Sequence, residues 1–516
     1  MHLRCLASII IVGGLAIQPN PAIAANSEEA CQRLGQALVD HEALSLEQSP
    51  SLVEIPPLPT FCQVRGKAAE HIGFEMRLPL ANEWNQKFVM AGCGGFCGQV
   101  LPDKPGYSNS INESLKQGYA VLAHDSGHQT ASNADTRWAR QGNGDALELW
   151  AHRALPELMG VAEQVLSTYY EQTPTRRYFS GCSNGGRLGL IAAQRYPHLF
   201  DAIAAGGPIL DLSGNAGVQG AWMIQHIQTN HGKSLLDPQQ LEGLIQHVRQ
   251  QCDALDGVSD GVVADPDRCQ LDLSPLACSH APTAHCLADE QLQSIRALYR
   301  GAHEDERSLF PGLPPGSEHL WPIWVTGRDG QPSWGQLAGQ GFLDIYRQAP
   351  VDQSANALEV DVVAEAQAMA GSLVAMMANA TDPDLSEFIN AGGKLLIWHG
   401  WADPLILPQR TVAYFDEAQA THDGAQAFTD HVRLFMVPGH GHCWEAPGLA
   451  PDLFDPVAAI DTWMDGDETI SHIIARDQID PDMTEATALL CPHPLRARHH
   501  QGPIDQAASY RCELLE

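Results

Sequence analysis

The segment Gly181-Cys182-Ser183-Asn184-Gly185 constrains the fold of this chain more than any other. It follows a short apolar run and precedes an apolar helical pattern that continues to Arg195. A tight strand-to-helix turn leaves no space for Cβ atoms at its flanks, which explains the glycines two residues before and after the serine. Such a turn presents Ser183 near a helix N-terminus, whose dipole favours a developing oxyanion. Because the G-x-S-x-G string alone can be structural, the flanking strand and helix carry the prediction that Ser183 is a nucleophile.

Other short apolar runs have the composition of buried strands, and most end in a turn rich in glycine or polar residues. A helical pattern, with apolar residues at spacings of three and four, covers Asp145 to Tyr170. Strands that alternate with helices predict an α/β fold, in which a mostly parallel sheet is covered by helices on both faces. The strand signals begin near Phe88, Tyr119, Tyr178, Ala202, Lys394 and Val432.

This alternation stops after Pro208, and the chain from about 209 to 385 is rich in Cys, Pro, Asp and Gln instead. A chain of 516 residues also exceeds what one ordinary hydrophobic core supports. We therefore predict one α/β core, built from residues 25–208 and 386–516. An inserted lid domain at 209–385 interrupts it.

A serine nucleophile needs a base, and the base needs a carboxylate that orients it. On a sheet of this kind the three residues follow in the order Ser, Asp or Glu, and His, each in a loop after a strand. Asp403 follows the strand LLIWHG and His442 follows the strand RLFMVPG, so both match that order. Spacing alone leaves competitors at other strand ends, namely His399, His440, Asp125 and His128.

Two cysteines favour His442 among these histidines. Cys182 immediately precedes Ser183, and Cys443 immediately follows His442. If Ser183 and His442 share a hydrogen bond, their neighbours are close enough for a disulfide, which needs Cα atoms about 4.4–6.8 Å apart. Such a bridge would tie the serine turn to the histidine loop, although both cysteines could have other partners.

The N-terminus has the pattern of a secretory signal at residues 1–24. Arg4 supplies a positive charge, an apolar run too short to span a bilayer follows, and Ala22-Ile23-Ala24 matches a cleavage site. Cleavage would remove Cys5 and leave twelve of the 13 cysteines, an even number in an oxidising compartment. We therefore expect a secreted or periplasmic protein with disulfides. The alternative is a cytosolic protein with scattered buried thiols.

The charge of the chain excludes some classes of partner. The sequence has 62 acidic and 30 basic residues, a formal charge of −32. That charge repels polyanions, so it argues against nucleic acid and anionic membrane surfaces as partners. No stretch after the signal is long and apolar enough for a membrane helix, so we expect a soluble protein with no membrane association.

Three motifs together point to a family: GCSNGGR, HGWADPLI and PGHGHCW. The chain resembles the tannase and feruloyl esterase family, which also holds the enzyme that cleaves mono(2-hydroxyethyl) terephthalate. The resemblance runs through nearly all of the mature chain and implies an α/β-hydrolase fold with an inserted lid. It is specific, because the family has a cysteine beside both the serine and the histidine. The family's residues match Cys182, Ser183, Asp403, His442 and Cys443.

The resemblance also implies an oxyanion hole. One donor would be the backbone N–H of Asn184, and the second would come from the glycine-rich loop GCGGFCG. Gly94 and Gly95 match the family's loop, and we favour Gly95. The alternative is simply a tight turn before a helix. Cys93 and Cys97 could pair with each other and stiffen this loop.

The predicted lid contains an acidic loop, CDALDGVSDGVVADPDRC, between Cys252 and Cys269. Three carboxylates confined by a short disulfide would repel one another unless a cation lies among them, and oxygen-only ligands suggest Ca²⁺ rather than zinc. The loop lacks the spacing of an EF-hand. The family binds calcium in its lid through such a loop, and the alternative is a solvated acidic turn. The implied ligands are the side chains of Asp253, Asp256 and Asp260 and the carbonyls of Val258 and Val262.

The remaining cysteines pair plausibly by proximity and by the family's pattern. Every cysteine of the mature chain is then used. These implied pairs are Cys31–Cys62, Cys252–Cys269, Cys278–Cys286 and Cys491–Cys512.

The resemblance implies a serine carboxylesterase that needs no cofactor for its chemistry. Its expected substrates are esters of aromatic, phenolic acids, such as feruloyl, galloyl or terephthaloyl esters. Trp321, Trp324 and Trp334 could stack on such a ring or could equally form the lid core. Arg328 could receive an acidic group or be an ordinary surface arginine. Two other functions are compatible with the motifs: a serine peptidase, and an inactive binding protein of the same fold.

Overall fold

In the computed structural model of this chain, the described part includes every residue of the predicted active site. Residues 1–20 of the predicted signal lie outside it, and for 21–26 and 213–215 nothing is said of the side chains. The described residues are 21–38, 43–104, 110–140, 142–228, 234–280, 283–348, 350, 352–422, 424–444, 448–466, 470–477 and 486–514.

Strands form where apolar runs are buried on both sides. All five residues of the strand Ala202–Gly206 are buried, as a parallel strand covered on both faces requires. The strands are β1 (Leu44–Leu46), β2 (Ser51–Val53), β3 (Phe61–Ala68), β4 (Ile72–Pro79), β5 (Lys87–Ala91), β6 (Ala120–His124), β7 (Arg176–Cys182), β8 (Ala202–Gly206), β9 (Ala302–Glu304), β10 (Arg307–Phe310), β11 (Lys394–Gly400), β12 (Val432–Val437), β13 (Ile473–Arg476), β14 (Thr487–Leu490), β15 (Arg496–His499) and β16 (Tyr510–Glu513).

The described strands include one large sheet of mixed direction. Its order is β1-β3-β4-β6-β5-β7-β8-β11-β12, with β2 also paired to β3. From β6 to β12 all neighbours are parallel, whereas the pairs among β1, β3, β4 and β6 are antiparallel. The carboxyl ends of the parallel strands therefore meet at one edge of the sheet, where a site can form.

The helices flank this sheet or lie in the segment between β8 and β11. A π-helical turn at Leu149–Arg153 joins two of them, α3 and α4. The helices are α1 (Pro21–Leu38), α2 (Asn112–Lys116), α3 (Gly144–Glu148), α4 (Ala154–Tyr170), α5 (Asn184–Arg195), α6 (Gln219–Ile227), α7 (Pro238–Cys252), α8 (Asp289–Arg300), α9 (Trp321–Trp324), α10 (Trp334–Tyr346), α11 (Val362–Ala370), α12 (Leu373–Ala378), α13 (Ser386–Asn390), α14 (Pro408–Thr421), α15 (Ala425–Thr429) and α16 (Pro456–Asp465).

Two hydrophobic cores cover the two faces of the sheet. Because successive side chains of a strand point to opposite faces, alternate residues of β5 separate between them. Phe88 and Met90 belong to the core that includes α4 and α5, whereas Val89 and Ala91 belong to the core that includes α16. This double coverage confirms the predicted α/β fold with a mostly parallel sheet. Within the described residues, no helix combines the length and the apolarity needed to cross a membrane.

The antiparallel strands β1 to β4 were not predicted, and β4 shows why. Its residues are all buried, yet it contains Glu75 and Arg77, which interrupt the apolar pattern. The two side chains pair with each other at 2.8 Å, so their charges can lie inside the sheet. A buried strand that contains such a charged pair cannot be predicted from hydrophobicity alone.

The long segment between β8 and β11 packs over the core as helices and one small hairpin. Although far apart in sequence, β8 and β11 are direct parallel neighbours, with Gly206 opposite Trp398. The segment is therefore inserted between two adjacent strands, while its exact boundaries at 209 and 385 stay predictions. We call it the lid.

A buried ion pair joins the lid to the core. Arg140, in the turn before α3, donates to Asp344 of α10 at 2.6 Å, and both side chains are almost fully buried. The second carboxylate oxygen of Asp344 accepts from the backbone N–H of Ala355 at 2.9 Å. Because all these groups are removed from water, loss of one partner leaves an uncompensated charge.

We predict that Asp344→Asn destabilises the protein, because it leaves the buried Arg140 charge without its carboxylate. The expected loss is about 3–5 kcal/mol of unfolding free energy, measured by chemical denaturation. Glu113→Gln breaks the exposed pair with Lys116 and serves as the control, with an expected loss below about 1 kcal/mol. Equal effects of the two substitutions would contradict the prediction.

Candidate active site

Ser183 occupies the sharp turn between β7 and α5. Its backbone has φ 61° and ψ −121°, in a region that L-residues rarely adopt, and its N–H donates to the carbonyl of Gly206 at 2.9 Å. The side chain lines a cavity at the carboxyl edge of the sheet. The turn therefore presents the serine hydroxyl to a ligand while the backbone around it stays buried.

Glycines make this turn possible through close backbone contacts. A Cβ atom on Gly181 would lie 2.8 Å from the carbonyl carbon of Gly185, and a Cβ on Gly92 would lie 2.7 Å from Gly185 Cα. Real Cβ atoms do not approach other atoms that closely, so side chains are excluded at both positions. The contact also brings the glycine-rich loop after β5 against the start of α5.

His442 and Asp403 lie together at the same edge of the sheet. The Nδ1 atom of His442 is 2.7 Å from Oδ2 of Asp403, and both residues are buried. Because a carboxylate accepts, Nδ1 carries the proton and Nε2 is left as the basic nitrogen. The other carboxylate oxygen of Asp403 accepts from the N–H groups of Leu405 and Ile406, at 2.8 and 2.9 Å.

His399, a competitor for the base, contacts the carboxylate instead. Its Nε2 lies 3.2 Å from Oδ2 of Asp403 and 3.0 Å from the carbonyl of Ile406, and its Nδ1 lies 2.8 Å from the Thr411 hydroxyl. Burial by itself raises the pKa of Asp403, but the charges and hydrogen bonds of His442 and His399 hold that pKa well below its ordinary value. Asp403 therefore stays ionised although it is fully buried.

The other competitors are engaged elsewhere. His440 pairs with Asp452 at 2.7 Å, and His128 contacts the carbonyl of Phe96 at 2.9 Å through Nε2. Asp125 accepts the N–H of Gly73 at 2.9 Å. Each of these residues has a local structural partner.

A disulfide joins the serine turn to the histidine loop. Cys182 and Cys443 are bonded, with Cα atoms 6.0 Å apart and a sequence separation of 261. The ring of Trp324, from the lid, packs edge-on against His442 with centroids 5.3 Å apart. The structure contains a disulfide at each of the six pairs expected from the sequence, the other five being Cys31–Cys62, Cys93–Cys97, Cys252–Cys269, Cys278–Cys286 and Cys491–Cys512.

The two expected oxyanion donors belong to the two segments that meet at the serine turn, the start of α5 and the loop after β5. Asn184 is the first residue of α5, and Gly95 lines the cavity with φ 59°. A Cβ on Gly95 would lie 2.8 Å from the carbonyl oxygen of Asn133, so the loop requires glycine there. In the same loop the N–H groups of Phe96 and Cys97 donate to backbone carbonyls, at 2.8 and 3.1 Å.

The cavity lies between core and lid and has a volume of about 220 Å³. Most of its lid-derived walls are apolar. Trp324 and Trp334 line it, whereas Trp321 is fully buried and donates to the Ser317 hydroxyl inside the lid. The predicted arginine, Arg328, lies on an exposed turn and is not among the residues that line this cavity.

The acidic loop of the lid brings its carboxylates near one another. Asp253 accepts the N–H groups of Asp260 and Gly261, at 3.2 and 3.1 Å. Burial, and next the charges of neighbouring carboxylates, raise the pKa of both Asp256 and Asp260. Within the described residues, no three His, Cys, Asp or Glu side chains converge as a ready metal cluster.

Comparison with known proteins decides the family. A family model described as tannase and feruloyl esterase matches residues 58–513. An uncharacterized esterase of Xanthomonas campestris pv. campestris is 31% identical, over 90% of this chain and 86% of its own. The mono(2-hydroxyethyl) terephthalate hydrolase of Piscinibacter sakaiensis is 27% identical, over 90% of this chain and 87% of its own.

The chain belongs to the tannase and feruloyl esterase family. It is a carboxylic ester hydrolase of that type, and its substrate is a small-molecule ester. Solved structures agree on the α/β-hydrolase fold. Feruloyl esterase B from Aspergillus oryzae gives a TM-score of 0.81 at 22% identity, over 94% of this chain and 100% of that one. Tannin acyl hydrolase from Aspergillus niger gives 0.75 at 20% identity, over 94% and 95%.

Two features of the esterase site escaped the sequence-based reasoning. The contact of His399 with Asp403 had a usable signal, since His399 lies near the end of β11 and Asp403 follows four residues later in the turn. The cavity walls from α6 and α10, which include Met223 and Phe342, had none. Their approach to the serine depends on how the lid folds.

We predict that removing the Cys182–Cys443 disulfide of the esterase reduces both activity and stability. In Cys182→Ala/Cys443→Ala the histidine loop is no longer tied to the serine turn, so kcat should fall at least tenfold. Chain entropy for so long a loop predicts a stability loss of roughly 5 kcal/mol, measured by chemical denaturation.

The matched control is Cys278→Ala/Cys286→Ala, which opens a lid disulfide with a sequence separation of only 8. It should cost about 2–3 kcal/mol and leave kcat within twofold. A wild-type kcat in the first double variant would contradict the role given to the active-site disulfide.

Proposed function

We propose that this esterase is a secreted serine carboxylesterase that hydrolyses esters of aromatic, phenolic acids. One observation carries the proposal. His442, which is hydrogen-bonded to Asp403, lines the same cavity as Ser183, and a disulfide connects the residues next to the serine and the histidine. This arrangement supplies a nucleophile, a base and an orienting carboxylate at one point.

The proposed reaction has two stages. The Ser183 oxygen attacks the ester carbonyl while Nε2 of His442 takes the hydroxyl proton, and the N–H groups of Asn184 and Gly95 stabilise the tetrahedral oxyanion. The intermediate collapses, the bond to the alcohol breaks, and His442 gives the proton to the departing alcohol oxygen. A water molecule, deprotonated by His442, then attacks the acyl carbonyl. The bond to the Ser183 oxygen breaks as His442 returns the proton to that oxygen, which releases the acid and restores the serine.

Asp403 would act through His442. Its carboxylate accepts from Nδ1, which fixes the tautomer that leaves Nε2 basic, and its charge stabilises the imidazolium that forms in each stage. The pair is buried and has low access to water, so its electrostatic effect is stronger than at a surface.

The character of the cavity supports an aromatic acyl group. Its lining includes the rings of Phe96, Trp324, Trp334 and Phe342, which offer flat apolar surfaces to a phenolic ring. The names of several relatives point the same way, since probable feruloyl esterases of Arthroderma benhamiae and Aspergillus fumigatus are each 28% identical. Exposed Arg328 has no part in the proposal.

Secretion is supported by the cysteines. Six disulfides form among the described residues, and disulfides persist in oxidising compartments outside the cytoplasm. The signal pattern at residues 1–24 supplies the route of export.

We predict that the protein hydrolyses at least one of methyl ferulate, methyl gallate and mono(2-hydroxyethyl) terephthalate faster than p-nitrophenyl butyrate, an aliphatic ester. A fluorophosphonate should label Ser183 in a 1:1 ratio, because an activated serine attacks phosphorus as it attacks a carbonyl. Ser183→Ala should abolish both turnover and labelling, and Ser126→Ala is the control for a buried serine outside the site.

Three other outcomes would decide against the proposal. A folded wild-type protein that the reagent does not label would be an inactive binding protein. Turnover of aliphatic esters alone would refute the aromatic substrate class. Faster cleavage of an anilide than of the matching ester would identify a peptidase, which uses the same three residues.

We also propose that the acidic loop binds a structural Ca²⁺. Carboxylates and carbonyl oxygens are the hard donors that calcium prefers, and this loop offers three aspartates, Asp253, Asp256 and Asp260. The carbonyls of Val258 and Val262 would complete the protein ligands. The raised pKa of Asp256 and Asp260 reflects burial and a mutual repulsion that a divalent cation would relieve.

The raised pKa of Asp260 predicts how its substitution changes the melting temperature with and without calcium. A carboxyl group whose pKa is raised by folding destabilises the folded protein once it is ionised, so at pH 7.5 without calcium Asp260→Asn should raise the melting temperature slightly. With calcium, the wild type should melt at a higher temperature than Asp260→Asn. At 100 times its Kd, Ca²⁺ should stabilise the wild type by about 2.7 kcal/mol and the variant hardly at all.

The measurement is a melting curve with EGTA or with 2 mM Ca²⁺ (about a typical extracellular level), with Mg²⁺ as the ion control. Asp272→Asn removes an exposed acid outside the ligand set and should behave as the wild type. A melting temperature that does not respond to calcium in the wild type would refute the calcium proposal and leave the esterase proposal untouched.

A further inference from the structure

A fully buried arginine lies directly behind the candidate oxyanion hole. Arg187 is the fourth residue of α5, and its side chain has no exposed surface. Burial lowers the pKa of its guanidinium to about 9, so the group is still charged at neutral pH. A buried charge is costly unless something compensates it, which makes its environment informative.

Neutral dipoles surround this charge. Its Nη1 donates to the carbonyls of Ala151 and Ala378 at 2.6 and 3.1 Å, and its Nη2 donates to the carbonyl of Trp150 at 2.9 Å. The Trp150 ring lies 4.6 Å below the guanidinium carbon. The hydrogen bonds that this guanidinium makes with the described residues all go to neutral acceptors. The site therefore carries a net positive charge.

The carbonyls that accept these hydrogen bonds belong to a π-helical turn and to a helix end. Trp150 and Ala151 belong to the π-helical turn Leu149–Arg153, and Ala378 is the last residue of α12. The carbonyls of a helix end are not fully used within the helix and carry partial negative charge, so they solvate a cation well. Single π-helical turns occur frequently at functional sites.

One hydrogen-bond chain leads from Arg187 through the side chain of Asn184 to the loop that contains Gly95. Its Nε donates to Oδ1 of Asn184 at 2.8 Å. The amide nitrogen of Asn184 in turn donates to the carbonyl of Cys93 at 3.3 Å and to Sγ of Cys97 at 3.1 Å. Gly95 lies between these cysteines, so the chain holds its loop against Asn184.

We propose that Arg187 is a positioning residue for the oxyanion hole. It orients Asn184 and, through Asn184, the loop that contains Gly95. Its unpaired charge also favours the negative tetrahedral intermediate over the neutral ester, because charges act over longer distances in a poorly polar interior than in water. The inference rests on the proposed esterase function and adds a residue to it.

A purely structural role is the competing explanation, since Arg187 also bonds the lid through Ala378. Substitution of Arg195, on the same helix, distinguishes the structural role from the positioning role. Arg195 donates to the carbonyls of Met377, Met376 and Asn379 at 2.7, 3.0 and 3.2 Å, all in the same segment of the lid. Arg195→Met therefore removes a comparable lid contact at the exposed end of α5 and leaves Asn184 untouched.

The experiment compares Arg187→Lys, Arg187→Met and Asn184→Ala with the control Arg195→Met. Each variant is first checked by its melting curve and near-UV circular dichroism. We then measure kcat and KM on the aromatic ester that the wild type hydrolyses fastest. Two inhibitors complete the set: phenylboronic acid, which forms an anionic tetrahedral adduct with the serine, and benzamide, which is neutral.

For Arg187→Met we expect kcat to fall about 100-fold with KM within threefold, an effect at the low end for a lost oxyanion donor. Arg187→Lys keeps a charge without the planar fork, so its loss should be smaller, about tenfold. Phenylboronic acid affinity should fall in proportion to kcat, while benzamide affinity stays within twofold. Arg195→Met should keep kcat within twofold.

Several results would overturn the inference. A folded Arg187→Met with wild-type kcat would do so, and so would equal losses of affinity for the two inhibitors. If the Arg187 variants do not fold, Asn184→Ala decides, since it keeps the arginine and the backbone N–H but removes the link. An unchanged kcat there refutes the positioning role, and a tenfold loss supports it.

Failure of the inference is distinct from failure of the proposed function. An active wild type with unaltered variants refutes the role of Arg187 alone. A wild type that neither hydrolyses the esters nor reacts with a fluorophosphonate refutes both.

Discussion

The contact between Gly92 and Gly185 is the constraint on which the rest of the site depends. Because neither residue has a side chain, the loop after β5 can lie against the first turn of α5. This contact brings Gly95 to the same cavity as Ser183, next to the start of α5 at Asn184. It also helps to hold Ser183 at φ 61°, a conformation that costs of order 1–3 kcal/mol and persists only when its surroundings over-determine it.

The hydrogen bonds of the buried Asp403 carboxylate fix its orientation and its charge. Asp403 is fully buried, and its carboxylate accepts four hydrogen bonds, two from the imidazoles of His442 and His399 and two from backbone N–H groups. A carboxylate has about four lone-pair sites, so all the hydrogen-bond acceptor sites of Asp403 are used and the orientation of the group is fixed. The pKa of Asp403 stays low for the same reason, which keeps the predicted base in one tautomer.

The sequence predicts the parts of this esterase that depend on local pattern. The six parallel strands β5 to β8, β11 and β12 were predicted because each contains a short apolar run, and the family was predicted from three short motifs. The antiparallel strand β4 was missed because Glu75 and Arg77 pair with each other inside the sheet. The sequence shows which residues are charged, but it does not show that two of them form a buried ion pair.

The site shows the same division. The order of Ser183, Asp403 and His442 could be predicted, since each follows a strand of the sheet and strand ends converge. The backbone carbonyls that surround Arg187 could not, because they belong to residues distant in sequence, which no side-chain pattern encodes. Equally, nothing in the spacing of Trp321 and Trp324 distinguishes the buried ring from the one that lines the cavity.

The core supplies the groups that would cleave the ester, whereas the lid supplies most of the apolar walls that would select it. Residues that would react or stabilise charge all follow strands of the core, where hydrogen bonds across the sheet fix their positions. The lid supplies mainly apolar walls and is tied to the core by buried polar contacts, such as Arg140 with Asp344 and Arg187 with Ala378. Substitutions in the cavity-facing positions of α10 can therefore change which ester fits without disturbing the groups that cleave it.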